Sequence, residues 1–169
     1  MREFSRLIDL RQLVLEPLRF EASEAECAAL AKRFDLVAVK RLTAEVTIAQ
    51  DRNKIIAKGR LEADIVQSCA ISGEDLPVRI AESLNLRFVP VGAERRPDEE
   101  VELALDDLDE IEFGGTSIDL GEALAQSMAL AIDPFAEGPD ADRVRRELGL
   151  LDEGSAGPFA ALAKLNKPN

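Results

Sequence analysis

Polar and apolar residues alternate with a period of two through the middle of the chain. Leu42, Ala44, Val46 and Ile48 fall on one side, and Arg41, Thr43, Glu45 and Thr47 on the other. After Asp51, Arg52 and Asn53 the alternation resumes, with Leu61, Ala63 and Ile65 opposite Arg60, Glu62 and Asp64. This predicts a β-hairpin with one buried and one wet face. Gly59, inside the second strand, predicts either a bulge or a close approach of another backbone. Ser72-Gly73-Glu74-Asp75 predicts a turn, and a third alternating stretch follows through Leu76, Val78, Ile80, Leu84, Leu86 and Phe88. Glu82 interrupts its apolar side, which predicts a bulge or an edge there. Three such segments in succession predict an antiparallel meander.

Elsewhere the period is helical. Ser23 followed by Glu26 reads as a capping box, and Cys27, Leu30 and Phe34 form the apolar face behind it. Cys27 on that face is expected to be a small buried apolar residue. Glu3–Leu10 and Pro17–Ala22 read as short extended pieces before this helix. Further on, Asp109–Phe113 reads as a short strand broken by Gly114 and Gly115. Asp119 then caps a second helix, with Glu122 completing a capping box and Ile118 as a hydrophobic staple. Leu120, Leu124, Met128 and Ala131 form its face, and Pro134 stops it. Asp140–Leu148 predicts a short helix. Asp152–Pro158 has linker composition, and Phe159, Leu162 and Leu165 repeat at helical spacing beyond it as a candidate partner-binding tail.

The expected fold class is therefore α+β: a bent antiparallel sheet of five to seven strands with helices over 23–34 and 119–132 packed on it. Partial closure into a barrel is the alternative. Residues 1–149 are expected to form one domain, and 150–169 a flexible linker with a short amphipathic tail helix.

Composition narrows the chemistry. The chain has 169 residues, no histidine, no tryptophan or tyrosine, and two cysteines, Cys27 and Cys69. Without histidine, the Ser-His-Asp and Cys-His arrangements and every histidine-containing zinc site are excluded. A stacking surface for nucleic acid is poorly supplied when every aromatic is Phe. Two cysteines give no disulfide framework. With no apolar leader at the N-terminus, the expectation is a cytoplasmic, reducing location. No run is long and apolar enough for a membrane helix.

Net charge is −12 and uneven: residues 1–60 carry twelve basic against nine acidic side chains, and residues 61–169 carry nine against twenty-four. Direct RNA contact is therefore expected from the first part. The candidate phosphate contacts are Lys40, Arg41, Arg52, Lys54, Lys58 and Arg60, whose plain alternative is a solvated strand face. The belt from Glu94 to Glu112 holds ten acidic residues but matches no calcium loop, and reads as a solvated acidic face. Asp119 and Glu122 could work as an acid–base pair, but both stand where a helix start requires them.

Several of these pieces together resemble the YceD family, the large ribosomal RNA subunit accumulation proteins of bacteria and plastids. The likeness rests on Cys69 in Ser-Cys-Ala-Ile-Ser-Gly-Glu-Asp-Leu-Pro-Val between two long strands, an acidic stretch, the motif from Ile118 to Pro134, and a terminal Phe-Ala-Ala-Leu-Ala-Lys-Leu. It spans about Leu36 to Leu165, and Ile118-Asp119-Leu120-Gly121-Glu122 is its most specific part. Two departures stand out. Many members carry Cys-x-x-Cys in the turn, where this chain has Ser72 as the fourth residue, so Cys69 is left without a second thiol and no zinc set is visible. Asp133-Pro134-Phe135-Ala136-Glu137 replaces the proline-rich, cysteine-containing end.

The resemblance implies a non-enzymatic factor in accumulation of 23S ribosomal RNA and 50S biogenesis. Its partners would be a ribosomal protein, large-subunit rRNA or both, with no cofactor. An acidic protein-binding adaptor unrelated to ribosomes is the alternative. An enzyme gathering magnesium on Asp106, Asp107, Asp109 and Asp119 is the third reading.

Overall fold

The structure is a computed structural model that describes residues 3–14, 16–92 and 110–149. In chain order the strands are β1 (Leu7–Asp9), β2 (Leu18–Glu21), β3 (Ala38–Asp51), β4 (Lys54–Ser68), β5 (Asp75–Pro90), β6 (Glu110–Phe113) and β7 (Ser117–Asp119). The helices are α1 (Glu24–Arg33), α2 (Leu120–Leu130) and α3 (Ala141–Glu147). Five strands form one sheet in the order β2-β3-β4-β5-β6, and β1 pairs with β7 in a second. The fold class is α+β as expected, and the sheet is open, with β2 and β6 at its ends. The barrel alternative is therefore set aside. One correction concerns direction: β6 runs parallel to β5, pairing Arg87–Pro90 with Glu110–Phe113, so the sheet is mixed.

The central hairpin follows the alternation of its side chains. β3 and β4 pair antiparallel from Ala38↔Val66 to Asp51↔Lys54. Arg52 begins the two-residue connection with a left-handed φ of +55°. Leu42, Ala44, Val46 and Ile48 are buried, as are Ile55, Ala57, Leu61, Ala63 and Ile65. Gly59 is a close approach and no bulge: a Cβ there would stand 2.0 Å from the Glu45 carbonyl oxygen. The register shift falls between Val39 and Arg41. Glu82 is exposed, and among the described residues β6 pairs β5 only over Arg87–Pro90, so Glu82 lies before the stretch that β6 covers.

α1 has the predicted start. The Ser23 hydroxyl accepts from the Glu26 amide at 3.4 Å, and the Glu26 carboxylate accepts from the Ser23 amide at 2.8 Å. It ends in a Schellman turn, with Asp35 at φ +54° and the Leu36 N–H reaching the Ala31 carbonyl at 2.9 Å. Cys27 and Leu30 are buried; Phe34, at the cap, is only half-buried. α2 buries Leu120, Ala123, Leu124, Ala125 and Met128, and stops at Leu130, short of the expected 132. Both helices enter one apolar cluster with Phe4, Leu42, Ile48, Leu61, Ile65 and Phe88.

The chain divides into two compact units. The first draws on Met1–Gln67 and Pro77–Ile132, and the second on Ser68–Leu76 and Asp133–Asn169. In the second unit the turn after β4 is tied to the segment before α3. The Ala70 N–H donates to the Ala136 carbonyl at 3.0 Å, and the Asp140 N–H to the Glu74 carboxylate at 3.2 Å.

Candidate functional site

The most tightly built polar constellation surrounds the start of α2, where the Ile118–Glu122 motif lies. Asp119 caps the helix by accepting from the Glu122 amide at 3.1 Å. The same carboxylate accepts from the Ser5 hydroxyl at 2.7 Å and the Arg6 amide at 2.9 Å. The Leu120 N–H, unpaired within the helix because it belongs to the first turn, donates to the Arg6 carbonyl at 3.0 Å. One carboxylate and one helix end thus hold two consecutive residues of the N-terminal segment, Ser5 and Arg6. Phe4 is pressed into the core at 1% exposure.

Gly121 makes that clasp sterically possible. A Cβ on Gly121 would meet the Arg6 nitrogen at 2.6 Å and the Phe4 carbonyl oxygen at 2.8 Å, both backbone atoms. Glu122 binds outward. Its carboxylate takes both terminal nitrogens of Arg33, at 2.9 and 2.7 Å, and accepts from Gln126. Arg33 also reaches Glu3 at 3.0 Å, and the two carboxylates hold its guanidinium firmly protonated, Glu122 first. Arg6 lies over the Phe4 ring and forms a fork with Glu26 at 2.7 and 3.0 Å. That fork, strengthened by the Ser23 bonds, brings the Glu26 carboxyl down to about 2. Asp119 and Glu122 thus serve the clasp and the helix start. Strand β7 was not visible in the sequence; it sets Ile118 opposite Ile8 and brings the N-terminal segment to the motif.

Cys69 lies in the second unit, in the turn between β4 and β5, and is buried. Its sulfur accepts from the Ser72 amide and the Gly138 amide, each at 3.3 Å. The Ser72 hydroxyl is the largest influence on the thiol, followed by the Gly138 and Ser72 amides, and together they lower it to about 7. Ser72, at the position where the resemblance leads one to expect a second thiol, therefore still faces the sulfur. Cys27 behaves oppositely, since burial pushes its thiol up. Among the described residues no group of three or more Cys, Asp or Glu side chains could hold a metal ion.

The six hairpin cations do not converge on one patch. Lys40 sits at the start of β3 and Arg52 at the opposite end of the hairpin, roughly 40 Å along the strand at about 3.4 Å per residue. Arg41 binds Asp64 at 2.9 Å and Glu62 at 3.6 Å, Arg60 binds Glu62 at 3.2 Å, and Lys54 binds Glu110 at 3.1 Å. Arg79 reaches the same Glu62 at 3.2 Å, so one carboxylate serves three guanidiniums on the wet face of the sheet. Lys40, Arg52 and Lys58 are exposed and have no carboxylate partner among the described residues. Phe159, Leu162 and Leu165, the belt residues up to Asp109, and Asp106 and Asp107 within it lie outside the described residues.

The site and sheet define a mixed-sheet α+β scaffold in which the motif's polar groups bind one another and the backbone. The chain belongs to the YceD family: the model described as "Large ribosomal RNA subunit accumulation protein YceD" matches residues 57–166. The family's name places its members in accumulation of the large ribosomal RNA subunit. No curated protein and no solved structure matches the chain. Among the described residues no helix is long and apolar enough to cross a membrane.

Proposed function

We propose that this chain is a non-enzymatic factor that supports accumulation of 23S ribosomal RNA during 50S biogenesis in the cytoplasm, by holding a ribosomal protein, large-subunit rRNA or both. The observation that carries the reading is the family match over residues 57–166. Charge supports it: a surplus of carboxylates over the chain attracts basic proteins, and ribosomal proteins are of that kind. Lys40, Arg52 and Lys58 are the cations of the hairpin left for phosphates. The ion-paired Arg41, Lys54 and Arg60 would have to exchange a carboxylate for a phosphate, so they contribute less.

Deletion of the gene followed by ribosome profiling tests this. The expected result is a deficit of 50S subunits and mature 23S RNA, restored by the intact gene. Unchanged levels of both would remove the proposal. A general adaptor role would instead give a pull-down in which ribosomal proteins and rRNA do not dominate.

A further inference from the structure

On the wet face of the sheet, Glu62 of β4 stands among three guanidiniums and fits none of them closely. Arg60 Nε lies 3.2 Å from its Oε1, while Arg79 Nη2, from β5, and Arg41 Nη2, from β3, share its Oε2 at 3.2 and 3.6 Å. Arginine–carboxylate pairs elsewhere in the same unit are tighter: Arg6–Glu26, Arg19–Glu45 and Arg33–Glu122 each close at 2.7 Å. Bonds of that kind run at about 2.7–2.9 Å, so the contacts to Glu62 are loose, and the Arg41 contact is beyond hydrogen-bond reach. The reason is geometric. A carboxylate is planar with two oxygens, and here the donors arrive from three adjacent strands.

Charge is left over as well. Arg41 has a second partner in Asp64 at 2.9 Å, but among the described residues Arg60 and Arg79 have no carboxylate besides Glu62. Each uses one nitrogen on it, each is 66% exposed, and the remaining donors of both guanidiniums have no partner among the described residues. Lys58, two residues before Arg60 on the same face, adds an exposed cation. In a chain of net charge −12 this is a local surplus of positive charge. A phosphate supplies what Glu62 lacks: oxygens directed tetrahedrally, which guanidinium forks meet with paired N–H bonds. A backbone phosphodiester also carries the same single negative charge as Glu62. Taken singly, each arginine would have to exchange its carboxylate for a phosphate. As a cluster, one departing carboxylate releases Arg60 and Arg79 together.

We infer that Arg41, Arg60 and Arg79 form a site for a backbone phosphate of RNA, which Glu62 fills as an internal stand-in until the phosphate displaces it. The inference rests on the rRNA limb of the proposed function and names the site through which that limb acts. A factor that held only a ribosomal protein would satisfy the broader reading without it.

The test is titration of the full chain with a fluorescently labelled RNA stem-loop carrying a single-stranded extension, at several salt concentrations. Saturable binding is expected. Arg60→Ala combined with Arg79→Ala should weaken it about tenfold or more and reduce the salt slope by about 1. Both positions are exposed, so the melting temperature should stay that of the parent. Glu62→Gln should strengthen binding about threefold or more, because the neutral amide keeps the shape and no longer competes with the phosphate. Arg143→Ala, which removes another exposed, ion-paired arginine, in α3, should change nothing. No saturable binding, no loss in the double arginine variant, unchanged or weaker binding by Glu62→Gln, an equal loss in Arg143→Ala, or equal binding of a polyglutamate peptide would each overturn the inference. Large-subunit components still crosslinked to the chain in cells would then leave the broader reading standing, whereas their absence would remove both.

Discussion

Gly121→Ala tests the clasp with a change whose sign separates two accounts. By helix propensity alone, alanine in α2 should stabilise by up to about 1 kcal/mol. The structure says otherwise, because the new Cβ would lie 2.6 Å from the Arg6 nitrogen and 2.8 Å from the Phe4 carbonyl oxygen, and backbone atoms cannot rotate away. If the segment stays, overpacking costs about 1–3 kcal/mol. If it leaves, Phe4 is exposed at a cost of about 1.5–3 kcal/mol, and the Asp119 and Leu120 bonds to Ser5 and Arg6 are lost. Either route outweighs the propensity gain, for a net loss of about 2 kcal/mol. In urea, with a slope of about 1–3 kcal/mol per molar, that moves the midpoint down by roughly 1 M. Hydrogen exchange should show faster exchange at the Arg6 and Leu120 amides. Phe4→Ala should then cost less in the Gly121→Ala background than alone. A variant as stable as the parent, or more so, would refute the reasoning.

Further outcomes follow from neighbouring geometry. A fragment covering 57–166, the stretch matched by the family model, lacks Phe4, α1 and β3. It should show no cooperative thermal transition, since Leu30, Leu42, Val46 and Ile48 each contribute about 1.5–3 kcal/mol of burial. Asp35→Gly should stabilise by about 1 kcal/mol in thermal unfolding, because Asp35 holds φ +54° at the end of α1 where glycine carries no Cβ penalty. The Cys69 thiol is lowered in the folded state to about 7 from 9.0. Its contribution to stability is therefore present above pH 9 and lost as pH falls through 7, so the parent should gain stability over Cys69→Ala as denaturation is repeated from pH 7 to pH 9.

What the sequence revealed was local. The hairpin was legible because fourteen- and fifteen-residue strands give many repeats of a period of two, and the Ser23 box because its partners lie three residues apart. β7 was not, since three residues carry no periodicity and its partner is the N-terminal β1. The parallel direction of β6 leaves no trace in side-chain order. Glu122 looked like half of a capping box because its Arg33 partner lies 89 residues away. The need for glycine at 121 left no local trace for the same reason: the atoms it makes room for belong to Phe4 and Arg6. Cys69 showed its turn but not the Gly138 amide on its sulfur, 69 residues further on. The hairpin cations were found by type, yet Arg41 is engaged by Asp64 and Glu62 on the adjoining strand and Arg60 by Glu62 on its own strand, so sequence clustering overstated the free positive charge.

Crosslinking in growing cells, with RNA and protein partners read from the same purified chain, tests the central claim most directly. The account predicts 23S rRNA, large-subunit ribosomal proteins or both as the dominant partners, with loss of the rRNA share when Lys40, Arg52 and Lys58 are changed to glutamate. A partner set without 50S components would contradict it.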